Sequence, residues 1–269
     1  MRASASACFL FISVLATSAP SRADTIQLYA AGSLRAALIE TAKAFEAETG
    51  NRVQAKYGAS GLLKEEIDGG ARVDVFASAN MEHPQALHAA GKSGPVQLFA
   101  RNRLCALVKP GLKVDSANLL ERMLDPAIKL GTSTPKADPS GDYALEVFAK
   151  AELTKPGARA VLEKKALQLT GNANSVQPPA GRNTYGWNVG EGRADIFLAY
   201  CTAAHAAQKQ NPEQQILELP ENLAVGADYG LTVITGASAA AERFAQFVLS
   251  PAGQNILTSH GFGPGQKER

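Results

Sequence analysis

Residues 28–61, LYAAGSLRAALIETAKAFEAETGNRVQAKYGASG, read as strand, turn, helix, strand and turn. A short, mostly apolar run over 26–30 ends in small residues. Leu34, Ala37, Leu38, Ala42 and Phe45 then recur at helical spacing across 34–49. Gly50 and Asn51 stop that helix, and 53–57 resumes an extended pattern. The two turns are Ala-Gly-Ser-Leu and Gly-Ala-Ser-Gly, with Ser33 and Ser60 where helix N-caps belong; the second opens a helix over 62–68. A capped helix start leaves backbone N–H groups unpaired at the positive end of the dipole. Two such starts after successive strands of one sheet would lie side by side at its carboxyl edge, as a cradle for a small anion. Serine also caps many helices that bind nothing, so a purely structural reading of each turn stands beside this one. The neighbouring glycines favour close approach of a ligand to the backbone.

The rest of the chain keeps alternating. Strands are expected at 73–78, 96–99, 104–108, 128–130, 166–169, 196–200, 216–219 and 228–233. Helices are expected at 83–90, from a Ser116 cap to 124, and at 143–151, 184–190, 205–213, 239–249 and 251–260. Residues 172–183 are rich in Gly, Pro and Asn and read as loop. Repeated alternation implies open α/β sheets with mostly parallel strands flanked by helices. The alternation is too long for one mononucleotide-type lobe, and no flexible linker divides it. Two lobes joined by short crossings reconcile these facts, with 24–102 and 225–269 in the first and 103–224 in the second. The crossings are expected at 99–104 and 224–229.

The amino terminus has one early positive charge, an apolar run over 7–16 and Ser21-Arg22-Ala23 before Asp24. That pattern predicts a cleaved secretory leader, 1–23, and an exported mature chain. The apolar run is too short for a permanent membrane span. A formal net charge of +2 and the lack of a basic tract exclude a nucleic-acid or membrane-surface footprint. Cys105 and Cys201 remain after cleavage, and in an oxidising compartment they could pair. There is no Cys-x-x-Cys, clustered histidine or metal-ligand spacing.

At this point the motifs become specific in combination: AAGSLRAAL at 30–38, AFEAETGNRV at 44–53, YGASGLLKEEIDGGARVDVFASAN at 57–80, FARNRLCALVKPG at 99–111, VGEGRADIFLAY at 189–200 and LSPAGQNILTSHGFGP at 249–264. With them the chain resembles the molybdate-binding periplasmic proteins, the substrate-binding subunits of molybdate ABC importers. The resemblance spans essentially the mature chain and weakens over 112–182. It implies a two-lobed type II periplasmic binding fold that holds a tetrahedral oxyanion, molybdate or tungstate first, in the cleft and delivers it to a membrane permease. It implies no cofactor and a monomer. By motif match the ligand contacts are Ser33 and Ser60 in the first lobe and Tyr200 in the second. Further backbone N–H contacts fall at Ser140 and Arg182. Molybdate, taken as the oxyanion, would be held through Ser33, Ser60 and Tyr200.

Two positions depart from the family pattern. Ser140 stands in Pro-Ser-Gly where the family has Pro-Ala-Gly, a change that a backbone contact tolerates. Arg182 stands where the family has valine. Its guanidinium could add a charge-assisted donor, alter which oxyanion fits, face solvent or pair with Asp195. Asp138 and Asp142 flank Ser140 and would repel an anion if they faced it; at a helix start they complement the dipole instead.

Other readings keep the binding class and change the ligand to sulfate, phosphate or a metal chelate, the last prompted by Tyr57, Tyr143, Tyr185 and Tyr200, which also read as packing residues. A hydrolytic enzyme finds little support. No Gly-x-Ser-x-Gly elbow is present, and His83, His88, His205 and His260 are dispersed and read as surface residues.

Overall fold

In this computed structural model, which describes residues 24–265, the first strand, β1 (Thr25–Ala31), turns Ile26, Leu28 and Ala30 into the core and ends in a single 3-10 turn, Gly32–Leu34. The expected leader, 1–23, lies outside the described residues. α1 (Arg35–Thr49) buries Ala37, Leu38, Thr41, Ala42 and Phe45, the face that the helical spacing predicts. It stops where Gly50 turns left-handed and returns its N–H to the Glu46 carbonyl. β2 (Arg52–Gly58) pairs in parallel with one side of β1. α2 (Ser60–Asp68) crosses back, and β3 (Val75–Ser78) pairs in parallel with the other side.

α3 (Glu82–Ala89) leads to β4 (Gln97–Val108). Then come α4 (Leu119–Leu124), β5 (Leu130–Ser133), α5 (Pro139–Thr154), α6 (Ala158–Lys165), β6 (Leu167–Thr170), α7 (Thr184–Gly190), β7 (Ile196–Tyr200) and α8 (Cys201–Gln210). β8 (Gln215–Glu218), β9 (Gly226–Val233), α9 (Ala239–Leu249), α10 (Pro251–Ser259) and the short β10 (Gly263–Pro264) follow. The hydrogen-bonded order is β2-β1-β3-β9-β4-β7-β5-β6, with β8 and β10 also on β4. β7, β5 and β6 are parallel, whereas β9 is antiparallel to both β3 and β4, and β4 to β7.

β4 joins the halves. Arg103 is its last residue opposite β9, and Leu104 its first opposite β7. The sequence reads two strands here, 96–99 and 104–108, separated by polar residues. The structure corrects this to one strand, because Ala100–Arg103 find ladder partners on Tyr229–Gly226 and their polar side chains find partners too. Arg101 pairs with Asp228 at 3.2 Å, and Asn102 donates to the Tyr229 hydroxyl at 3.2 Å. A ladder partner over a hundred residues away outweighs local polarity.

Other boundaries shift for similar reasons. Ser116 does not cap α4: the Asp115 carboxylate takes the Ala117 and Asn118 N–H groups, and the Ser116 hydroxyl donates to the Glu218 carbonyl. α5 begins four residues before the expected 143, because Asp138 caps it and Pro139 fits its first position. α6 and β10 have no counterpart in the sequence reading.

Two clusters anchor the halves. Phe45 of α1 meets Phe244 and Phe247 of α9 edge to face, with ring centres 5.2 and 5.7 Å apart. At the seam, Tyr229 packs on Phe99, Phe262 and Tyr200, and Tyr200 packs on Tyr143. Cys105 of β4 is disulfide-bonded to Cys201, the residue after Tyr200, with Cα atoms 4.9 Å apart.

Candidate functional site

Ser33 lies in the 3-10 turn after β1, and Ser60 is the first residue of α2. Neither caps its helix. The flanking positions are Leu34 for α1 and Ala59 for α2, without side-chain capping bonds. Each hydroxyl turns instead to a distant element. The Ser60 oxygen accepts the Ala79 N–H at 3.1 Å, which leaves its own proton free to donate. The Ser33 oxygen lies 3.0 Å from the Tyr229 hydroxyl. Asn102 donates to Tyr229, its amide fixed by bonds to Thr202 and to the Arg103 N–H. The phenolic proton is then available to Ser33, and the Ser33 proton to a ligand. Among the described residues, no acceptor meets the backbone N–H of Ser33 or Ser60. The capping expectation was therefore one residue out, while the outcome it served, unpaired N–H groups at two helix starts, is present.

The second half brings Tyr200, at the end of β7, to the same place. Its hydroxyl donates to the Ala79 carbonyl at 3.3 Å, so Ser60 and Tyr200 hold opposite ends of one residue. Burial pushes the Tyr200 phenol well above its usual range, so it stays a donor. The start of α5 touches the start of α2: the Gly61 N–H donates to the Ala137 carbonyl at 2.8 Å. A Cβ on Gly61 would lie 2.2 Å from the Lys136 carbonyl oxygen, so only glycine permits this approach. Lys136 itself is held at φ 68°, a left-handed conformation rare for lysine.

Ser140 sits in the first turn of α5, fully buried, its hydroxyl without a hydrogen-bond partner. Its N–H is taken by the Asp138 carboxylate at 3.1 Å. Asp142 accepts the Lys136 N–H at 2.9 and 3.1 Å. Both aspartates thus serve the helix start. Burial pushes the Asp138 carboxyl up to about 6, with Asp142 adding to the rise and the Ser140 N–H and Ser133 hydroxyl opposing it. Burial and nearby Glu82 also hold Asp142 above the usual carboxylate range.

Arg182 does not join this group. It is exposed, and its guanidinium reaches the Asn211 side chain at 3.2 Å while its N–H goes to the Pro179 carbonyl. It does not meet Asp195, whose carboxylate pairs with Lys109 at 2.8 Å. The start of α7 is capped by Asn183, one residue on, which takes the Tyr185 and Gly186 N–H groups and leaves the Thr184 N–H unclaimed among the described residues. His83 departs from its surface reading. It is half-buried, its Nε2 has no partner, and burial lowers its pKa to about 4. Sequence reasoning missed Tyr229, Asn102 and Ala79; only the tyrosine, within an apolar strand, carried any signal.

The seam is closed. Ser60, Ser140 and Tyr200 are buried, and Ser33 is half-buried. Surface pockets of about 370 Å³ beside Leu120 and about 650 Å³ beside Arg72 touch none of them. Chemically, the seam offers neutral hydroxyl and N–H donors from the first half. From the second it offers donors accompanied by a carboxyl.

The profile of a family described as bacterial extracellular solute-binding protein matches residues 26–263. The uncharacterized protein PM1146 of Pasteurella multocida (strain Pm70) is 35% identical over 241 residues, which cover 89% of this chain and 98% of that protein. Molybdate-binding protein ModA of Azotobacter vinelandii is 29% identical over 162 residues, 56% of this chain and 63% of that protein. Among solved structures, the sulfate-binding protein SubI from Mycobacterium tuberculosis H37Rv superposes with a TM-score of 0.74 at 20% identity, covering 90% of this chain and 87% of that one. The shared architecture is the type II periplasmic binding fold. Because the profile runs through both halves and the strand that joins them, the chain belongs to the bacterial extracellular solute-binding proteins.

Proposed function

We propose that this chain is the substrate-binding subunit of an ABC importer, exported to the periplasm, which captures a small tetrahedral oxyanion between its halves and passes it to a membrane permease without chemical turnover. The observation that supports this most is the contact between the starts of α2 and α5 at the seam, where the Ser60 N–H is unclaimed among the described residues and the Ser140 hydroxyl is buried and unpaired. Molybdate and tungstate are the first candidates, since the resemblance points to them and a 29% identical relative is named for molybdate. Sulfate and phosphate are the alternatives.

A dianion leaves water only if its oxygens are hydrogen-bonded again. Charge-assisted bonds contribute about 1.5–3 kcal/mol each. Roughly six of them, less the cost of association, support submicromolar capture. Ser33, Ser60, Tyr200 and nearby N–H groups would supply them, and because the seam is closed the halves must part for entry. Three of the tyrosines that prompt a metal-chelate reading make packing contacts: Tyr57 lies under the Arg35 guanidinium at 4.6 Å, Tyr185 packs on Phe197 and Tyr143 on Tyr200.

Titration of the ligand-free chain with molybdate, tungstate, sulfate and phosphate in turn tests the proposal. Saturable one-to-one binding of at least one, weakened by Ser33→Ala, is expected. Failure of all four to bind would overturn it.

A further inference from the structure

Asn102 lies in β4 beside Arg103, the last residue opposite β9, and its amide bonds one hydroxyl from each half. Nδ2 donates to Thr202 of α8 at 2.8 Å and to Tyr229 of β9 at 3.2 Å, while Oδ1 accepts the Arg103 N–H at 2.9 Å. Turning the amide over would set Nδ2 against the Arg103 N–H, donor against donor, so the backbone at the crossing holds it in this sense. Tyr229 is fully buried, and the rings of Phe99, Tyr200 and Phe262 stand edge to face around it at 6.3, 5.5 and 5.5 Å. Its hydroxyl has two hydrogen-bond partners among the described residues, Asn102 and, 3.0 Å away, Ser33. Burial pushes this phenol well above its ordinary range, so it keeps its proton.

A phenol has one proton to give. Asn102 presents only N–H to it, so that proton goes to Ser33, and the Ser33 oxygen accepts it with its own proton turned elsewhere. Ser33 is half-buried, and its hydroxyl makes no other bond among the described residues. Resting on the oxyanion reading above, we propose that Asn102 is a positioning residue for the anion: acting through Tyr229, it fixes the direction of the hydroxyl chain so that Ser33 meets the bound oxyanion as a donor. A serine free to rotate would spend part of its time with a lone pair facing the dianion, or with its proton returned to Tyr229. The amide removes both alternatives without adding a charge. Because Thr202 belongs to the second half and Arg103 to the crossing strand, the chain of bonds is complete when the halves are together.

Double-mutant cycles against Ser33→Ala test this role, read by calorimetry of the full chain with molybdate, tungstate, sulfate and phosphate in turn. Asn102→Asp keeps the side chain's shape and still accepts from Arg103 and Thr202, but it also accepts the phenolic proton, which reverses the chain. Its loss of affinity is expected to be at least about tenfold larger in the wild-type background than in Ser33→Ala, since the added charge acts in both and cancels. Tyr229→Phe adds no charge. It should cost about three- to tenfold in affinity alone and less than about twofold in Ser33→Ala. This second cycle carries the test if Asn102→Asp does not fold. Equal losses in both backgrounds, or wild-type affinity in both single variants, overturn the positioning role while leaving the oxyanion site standing. Failure of all four anions to bind the wild-type chain overturns the site and this role together.

Discussion

The two helix starts that touch at the seam are made of similar residues and finished differently. At α2, Ser60 spends its oxygen on Ala79 and leaves its own N–H unclaimed, with no acid in the first turn. At α5, Asp138 fills the cap and takes the Ser140 N–H, and Asp142 stands a few residues on. The same device, a positive helix end, is thus left open on one side and internally satisfied on the other. The lesson is that helix position alone does not define an anion site; what already occupies the N–H groups does. The first half offers donors that are indifferent to pH near neutrality, and the second offers an environment that is not.

The comparison breaks most readily at the point of contact. Gly61→Val would place side-chain atoms against the Lys136 carbonyl, and ligand affinity is expected to fall about 100-fold, near 2.7 kcal/mol. Calorimetry reads the loss, and small-angle scattering of the ligand-saturated variant should report open halves. Ser60→Ala and Ser33→Ala should each weaken oxyanion binding by about 1–3 kcal/mol while leaving the fold intact. Wild-type affinity in both variants would mean that the neutral pole is not the grip.

Two stability measurements sharpen the contrast, because the halves hold titratable groups that respond with opposite sign. The folded state binds the Asp138 proton more tightly than the unfolded chain does. Its contribution is therefore most favourable below the ordinary carboxylate pKa and is lost as pH rises through about 6. Partial exposure reduces the effect to about 1–2 kcal/mol. In the first half, half-buried His83 stays neutral in the fold, so its contribution is present above its ordinary pKa and is lost as pH falls toward about 4, again by about 1–2 kcal/mol. Urea unfolding across this window should show a shallower decline with rising pH in Asp138→Asn, and a shallower decline with falling pH in His83→Gln. The smallest effect belongs to Arg182→Ala. With the guanidinium on Asn211, affinity should change less than about twofold and stability by less than about 0.5 kcal/mol.

Much of this was legible in the chain because it is local. Small residues ending β1, the spacing of Leu38, Ala42 and Phe45, and Gly50 after them make the opening strand–helix–strand unit readable from sequence. The positions of Ser60 and Tyr200 near one another followed from motifs, and the structure brings them together at Ala79. What escaped depends on distant partners. Ser33 turns toward a tyrosine 196 residues away, which no local pattern encodes. β4 stays extended through Arg101 and Asn102 because β9 pairs with it. Arg182 finds Asn211, the residue that ends α8, a partner that no local motif encodes.

The bond between Cys105 and Cys201 ties residues 96 positions apart in sequence. A crosslink closing a loop of that size removes conformational freedom from the unfolded chain worth roughly 4.7 kcal/mol. Protein held in a reducing cytosol would lack that reinforcement, and Tyr200 would keep its ladder pairing with Leu104 but lose the covalent tie one residue on. A preparation kept in thiol should therefore melt earlier than the same polypeptide with the bond formed.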